Sequence, residues 1–289
     1  MGQDCVTGTS TTINHMSQNS SNRYTHGHEQ STLASHSVRT ASNSAAYLLP
    51  HLKPGMDILD IGCGPGTITL DLAEIVAPGK VTGIENVKAP LIAARAEAAS
   101  RSDKTTVFQL GNAMELPFES QSFDVVHAHQ VLQHLTDPVA ALREMLRVCK
   151  PGGWIAVRDA DYAAMSWYPE LTGLEHWRKT YRAAARANGA EPDAGRRLRA
   201  WAHAAGIRNP TVSASVWSYA DAETCRWWGD SQANRCAGDV FSQQAKEQGL
   251  SEKEIADIVS TWRQWGAEPD AWFCLVHGEL LAHSLVSGE

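Results

Sequence analysis

The segment Ile58-Leu59-Asp60-Ile61-Gly62-Cys63-Gly64-Pro65-Gly66 constrains this chain more than any other. A short apolar run enters three closely spaced glycines, and a helix-like stretch over 67–76 follows at once. Glycines at a strand end let the backbone turn sharply and approach a ligand with no Cβ in the way. The helix behind such a turn presents unpaired N–H groups. This strand–glycine–helix unit predicts an α/β sheet with a binding crevice at its strand ends.

The pattern then repeats. Pro78-Gly79 breaks the first helix, and the residues predict strands over 81–85, 106–110, 123–127 and 154–158. Between them lie an Ala-rich helix over 89–100 and an amphipathic helix over 138–149 with Val139, Leu142, Leu146 and Cys149 on one face. Pro151-Gly152-Gly153 stops that helix. Regular alternation with short turns argues a Rossmann-like, doubly wound, mostly parallel sheet. After residue 160 the alternation fails. Helices are expected over 171–188 and 193–205, the second closed by Gly206, and a strand over 211–219. A polar and aromatic helical stretch covers 221–248, Ser251 and Glu254 form a capping box for a helix reaching Trp265, and 273–276 reads as a last strand. The expected organisation is a disordered tail over 1–22, an N-terminal helical lid over 23–55, a cofactor-binding core over 56–160, and a helical cover inserted near the C-terminal strands over 161–289. The tail is expected because eleven of the sixteen residues 7–22 are Ser, Thr or Asn, which bury little against their ordering entropy. A helix over 36–52 is expected to end at Lys53-Pro54-Gly55.

Composition narrows the function. Net charge is −7, with no basic block, which argues against nucleic acid as a partner. No apolar run approaches ~18 residues, so no membrane span is expected. The six cysteines form no CxxC pair and no signal segment precedes them, which suits reduced thiols and a cytoplasmic protein.

The spacing of the loop is GxGxG, with Thr67 where a dinucleotide fingerprint has its third glycine. Asp60 ahead of it suits a cationic ligand better than a pyrophosphate. Glu85 ends the second strand 23 residues after Gly62, where an acid accepts ribose hydroxyls. Asn112 and Ala113 follow the third strand, placed for an adenine edge. The ligand that fits is S-adenosyl-L-methionine, whose amino group and sulfonium are both positive. A nicotinamide-dependent oxidoreductase shares the sheet and the ribose acid but is disfavoured by the glycine spacing and Asp60. A non-catalytic scaffold is disfavoured by the intact loop.

The segments ILDIGCGPGTIT (58–69), VTGIEN (81–86), GNAMELPF (111–118), SFDVV (122–126) and REMLRVCKPGG (143–153) resemble class I methyltransferases, most closely the ubiquinone/menaquinone C-methyltransferase branch. A looser resemblance, in 35–52, 129–135 and 272–279, is to microbial secondary-metabolism methyltransferases, some fungal members of which methylate thiols. The resemblance implies cofactor contacts at Gly62, Thr69, Glu85, Asn112, Ala113 and His129, the last standing where that branch has a small residue. Gly64 and Asn86 join them from the same motifs, and Tyr24 and Arg39 from the lid, where Arg39 is expected to reach the methionyl carboxylate.

Methyl transfer from a sulfonium needs alignment above all, and a base only if the nucleophile carries a proton. His134 and Asp161 are the candidate catalytic residues. Their plainer readings are a helix-end histidine and a capping carboxylate. Asp159 is a second carboxylate on the acceptor side, and His277 and Glu279 are possible pocket residues. His127, His129 and His134 lack a carboxylate or cysteine that would complete a metal set, so no metal is expected. Trp167 and Tyr168 are expected to roof the pocket. Six of ten tryptophans lie after residue 210 and either line a substrate pocket or pack the cover. The expected partner is a small, largely apolar methyl acceptor, with a thiol or hydroxyl as the favoured nucleophile and C- or N-methylation of a small molecule as the alternative.

Overall fold

A computed structural model describes residues 39–284. Parallel strands β1 (Ile58–Ile61), β2 (Val81–Glu85), β3 (Val107–Leu110), β4 (Phe123–His129) and β5 (Cys149–Ala160) alternate with helices α2 (Thr67–Val76), α3 (Lys88–Ser100) and α4 (Pro138–Val148). The short helix α1 (Ala41–Ser44) precedes them. Beyond β5 come β6 (Ser166–Tyr168), α5 (Thr172–Ala187), α6 (Leu198–Ala204), β7 (Thr211–Tyr219), α7 (Ala222–Ala237), α8 (Asp239–Glu247), α9 (Glu252–Ala267) and β8 (Trp272–His283). Strand order is β3-β2-β1-β4-β5-β8, with β8 antiparallel to its neighbours. One edge of β8 holds β5 and then β6, and the other holds β7 throughout.

One sheet face, with Leu59, Ile61, Val126 and Val157, packs on Leu142 and Met145 of α4 and Leu198 and Ala202 of α6. The opposite face, with Ile58, Val125 and Ala156, packs on α2 and on Ala41, Ala45 and Leu48 of the N-terminal segment. The cover helices form a separate core in which Trp177, Trp228, Trp262 and Trp265 meet Phe273 of β8. These tryptophans therefore pack the cover. No described helix is long and apolar enough to cross a membrane.

Several expectations are corrected. Over 39–52 the chain forms no continuous helix. α1 spans four residues, capped by Thr40 and Asn43, and a 3-10 turn Leu49–His51 follows. Ser42, Asn43 and Ser44 favour caps over helix interiors, and Pro50 lacks an N–H. The 221–248 stretch is two helices meeting at Gly238. α4 ends at Val148, before Pro151-Gly152-Gly153, which lies within β5 at an irregularity between the Phe123 and Val125 pairings. Trp167 and Tyr168 belong to strand β6. Trp167 stacks on Phe273 with the Arg178 guanidinium over it and lines a surface pocket with Glu170, Leu171 and Arg178, and Tyr168 is exposed. The last strand runs to His283. Its second half escaped notice because His277 and Glu279 are polar residues at buried positions.

Gly278 of β8 meets the turn Ala194–Arg197 backbone to backbone. A Cβ there would lie 2.1 Å from the Gly195 carbonyl oxygen. Gly278→Ala is expected to destabilise the fold by ~1–3 kcal/mol, the cost of overpacking a rigid contact. Chemical denaturation reads this directly, and an unchanged midpoint would contradict it.

Candidate active site

The crevice forms where β1, β2, β4 and β5 end. Gly62, Gly64 and Gly66 all have positive φ, at 67°, 54° and 83°. A Cβ on Gly62 would sit 2.4 Å from Val131 Cγ2, so the loop lies against the turn after β4 as closely as glycine permits. Gly66 is the residue preceding α2.

Asp60 is buried and does not open onto this crevice. Thr69 Oγ1 donates to its Oδ2 at 2.6 Å, and His127 Nδ1 lies 2.7 Å from its Oδ1. The carboxylate thus ties β1 to α2 and β4, and the argument that it faces a cationic ligand is corrected. Thr69, fully buried, acts on the loop through it. Glu85 ends β2 half-buried. The Gly64 N–H donates to its Oε1 at 2.9 Å, and burial raises its carboxyl above the ordinary value. Asn86 and Asn112 are exposed at the ends of β2 and β3, Asn112 Oδ1 accepting from the Met114 N–H, and Ala113 is buried beside them.

The acceptor side is built by β4, β5 and β8. His134 ends the 3-10 turn Leu132–His134, its Nε2 3.0 Å from Gln133 Nε2. Asp161 turns away from the histidines. Arg196 grips it at 2.6 and 2.8 Å, and it caps the turn Tyr162–Ala164. Of the two catalytic candidates, the structure thus gives Asp161 a cap and an ion pair. Asp159 is fully buried. It accepts the Gln133 N–H at 3.1 Å, its Oδ2 has no partner, and burial pushes its pKa up to about 8. Arg39 reaches the end of β4, where its Nη2 donates to Gln130 Oε1 at 3.0 Å. Tyr24 lies outside the described residues.

Sequence reading missed most of a polar patch that shares the face covered by the N-terminal segment. Strand register aligns His129 with Arg158, Arg158 with Glu279 and Glu279 with Ser213. One row further, Ala160, His277 and Ser215 align. Arg158 Nε donates to Ser215 Oγ at 3.0 Å and lies 3.5 Å from Glu279 Oε1, while Ser213 and Ser215 both donate to Glu279. Burial lowers the Arg158 pKa to about 10. Burial first, then the Arg39 and Arg158 charges, hold His129 and His277 well below the usual histidine range. A signal was present. His127 and His129, Ser213 and Ser215, and His277 and Glu279 are polar pairs two residues apart, the period of one strand face.

The residues fit an adenosine-bearing sulfonium cofactor. The glycine backbone leaves no side chain in the way, and a half-buried carboxylate stands at the end of β2 with one oxygen held by the loop itself. Fold and loop define a class I S-adenosylmethionine-dependent methyltransferase. Residues 52–230 match the family described as Methyltransferase domain, and the chain belongs to that family. It is 35% identical over 273 residues to an uncharacterized methyltransferase of Schizosaccharomyces pombe, covering 89% of this chain and 95% of that one. It is 39% identical over 121 residues to a demethylmenaquinone methyltransferase of Lactococcus lactis, covering 42% of this chain and 48% of that one. The structure superposes on the YcgJ protein of Bacillus subtilis with a TM-score of 0.56 at 18% identity, over 84% of this chain and 98% of that one, a likeness of fold.

Proposed function

We propose that this methyltransferase acts on a thiol or hydroxyl of a small molecule, a secondary metabolite. The observation that carries the reading is enclosure. His129 and His277, on the sheet face that carries the N-terminal segment, and Asp159, on the other face, are all buried at the strand ends where an acceptor must meet the methyl donor. Groups this enclosed among the described residues suit a small acceptor better than a nucleic-acid or protein chain. In this reading Gly62, Gly64, Glu85, Asn86, Asn112, Ala113 and His129 hold the cofactor, Thr69 fixes the loop through Asp60, and Arg39 closes the mouth from the lid. When bound, the cofactor supplies a methyl group already activated on a sulfonium. The protein's share is to align the acceptor and exclude water. A thiol, ionising near ~8.5, needs little help from a base. That suits a crevice in which Asp161 is engaged by Arg196 and His129 is held neutral.

The test is incubation of the protein with methyl-labelled cofactor and a metabolite extract supplemented with RNA and protein. Label is expected in the low-molecular-weight fraction, with mass spectrometry locating it on sulfur or oxygen. Label mainly in RNA or protein would overturn the reading.

A further inference from the structure

Five side chains on and above the polar patch hold buried atoms with no hydrogen-bond partner: Tyr47 Oη, His127 Nε2, His129 Nδ1 and Nε2, Arg158 Nη1 and His277 Nδ1. Native interiors leave few such atoms, because each forgoes the hydrogen bonds it made with water. Their concentration on one sheet face, beside the glycine loop, marks a surface made to receive a polar guest.

The chemistry of that guest follows from which atoms are donors. Gln130 Oε1 accepts from Arg39, so its Nε2 donates to His277 Nε2 at 2.7 Å. The His277 proton therefore sits on Nδ1, which makes no well-formed hydrogen bond, with the Leu275 carbonyl near it. Arg158 Nη1 and Tyr47 Oη add two more unused donors, and neutral His129 adds a third. Both guanidinium groups stand over the Trp217 ring, Arg39 at 5.4 Å and Arg158 at 5.0 Å from its centre. Of the nearby carboxylates, Glu279 is committed to Arg158 and two serines and Asp60 to Thr69 and His127, while Asp159, whose Oδ2 has no partner, has its pKa pushed by burial up to about 8. Tyr219 faces the patch from β7 with its hydroxyl kept neutral by burial. The patch therefore offers positive potential and spare donors.

We propose that the acceptor's nucleophilic atom binds here as an anion, between Arg158 and the imidazoles of His129 and His277, so that the substrate class is an ionisable S–H or O–H acid. This rests on the small-molecule reading above. The acceptor's X–H bond breaks on binding and its proton leaves to water. The acceptor's lone pair forms the new X–C bond, and the electron pair of the broken C–S bond stays on sulfur. Anion and sulfonium become two neutral products, and no base acts during transfer.

The experiment uses the full chain saturated with S-adenosylhomocysteine and para-nitrophenol as a chromogenic probe. The bound probe is expected to ionise at a pH at least one unit lower than the free probe, about a tenfold preference for the phenolate. Arg158→Gln is expected to abolish that preference and Arg158→Lys to retain part of it. Because Arg158 also pairs with Glu279, Arg39→Gln at the rim provides a second variant, expected to reduce the preference about threefold in a folded protein. Equal binding of phenol and phenolate, no binding at millimolar probe, or a preference unmoved by either variant would overturn the proposal. Tighter binding of benzoate than of the phenolate would move the anion to a carboxylate elsewhere on the acceptor, and would overturn it as well. Any of these results with label still entering small molecules sinks this inference alone and leaves the small-molecule reading standing.

Discussion

Glu85→Ala is expected to weaken S-adenosylmethionine and S-adenosylhomocysteine binding alike, by about 30- to 150-fold. The side chain ends β2 half-buried, one oxygen held by the Gly64 N–H and the other available to a ribose diol. A carboxylate receiving two hydroxyls makes charge-assisted bonds whose loss costs ~2–3 kcal/mol, which is that fold-change at room temperature. The substitution also removes the loop's own tether, so part of the loss is expected as a more mobile glycine loop. Glu85→Gln keeps an acceptor for Gly64 without the charge, and is expected to fall between the two. Calorimetry on the three proteins checks the order. Unchanged affinity in the alanine variant would remove Glu85 from the cofactor site.

Asp159 is expected to make the protein lose stability as pH rises from mildly acidic to mildly alkaline. In the unfolded chain its carboxyl ionises near ~3.9. In the fold, burial pushes that to about 8. Between these values the native state holds a proton that the unfolded state has released. Protons are then taken up on folding, and a rise in pH disfavours the fold by up to ~1.4 kcal/mol per unit. The contribution is absent below the lower value and complete above the upper one. Asp159→Asn stays neutral throughout and keeps an oxygen for the Gln133 N–H. It is expected to match the parent within ~1 kcal/mol at pH 4 and to exceed it by several kcal/mol at pH 8. Urea unfolding at intervals across that range gives the two slopes. Parallel curves would mean that the carboxyl is not held protonated.

Strands β1 to β4 and helices α2 to α4 were legible in the chain, and β5 in its second half, because local rules decide those residues. Gly62, Gly64 and Gly66 require positive φ whatever surrounds them, and the apolar runs at 81–85 and 123–127 are strands buried on both faces. Capping chemistry read equally well, as at Ser251 and Glu254. Glu85 was placed by its distance from the loop along the sequence, a spacing that a strand–helix–strand unit fixes by length alone.

The sequence by itself thus determined the parallel sheet, the crevice and the class of cofactor. What only the tertiary structure decided is which polar groups face one another. Asp60 read as a ligand for a cation and is instead satisfied by Thr69, from the helix that follows the loop, and by His127, from a strand 67 residues away. Asp161 read as catalytic and is gripped by Arg196, 35 residues away. Arg158, His277, Glu279, Ser215 and Trp217 form one surface only because β8 inserts antiparallel between β5 and β7 and fixes their register. Backbone preferences are set within a few residues, so a sequence displays them. The partner of a buried charge is set by strand order and register, which the whole chain decides at once.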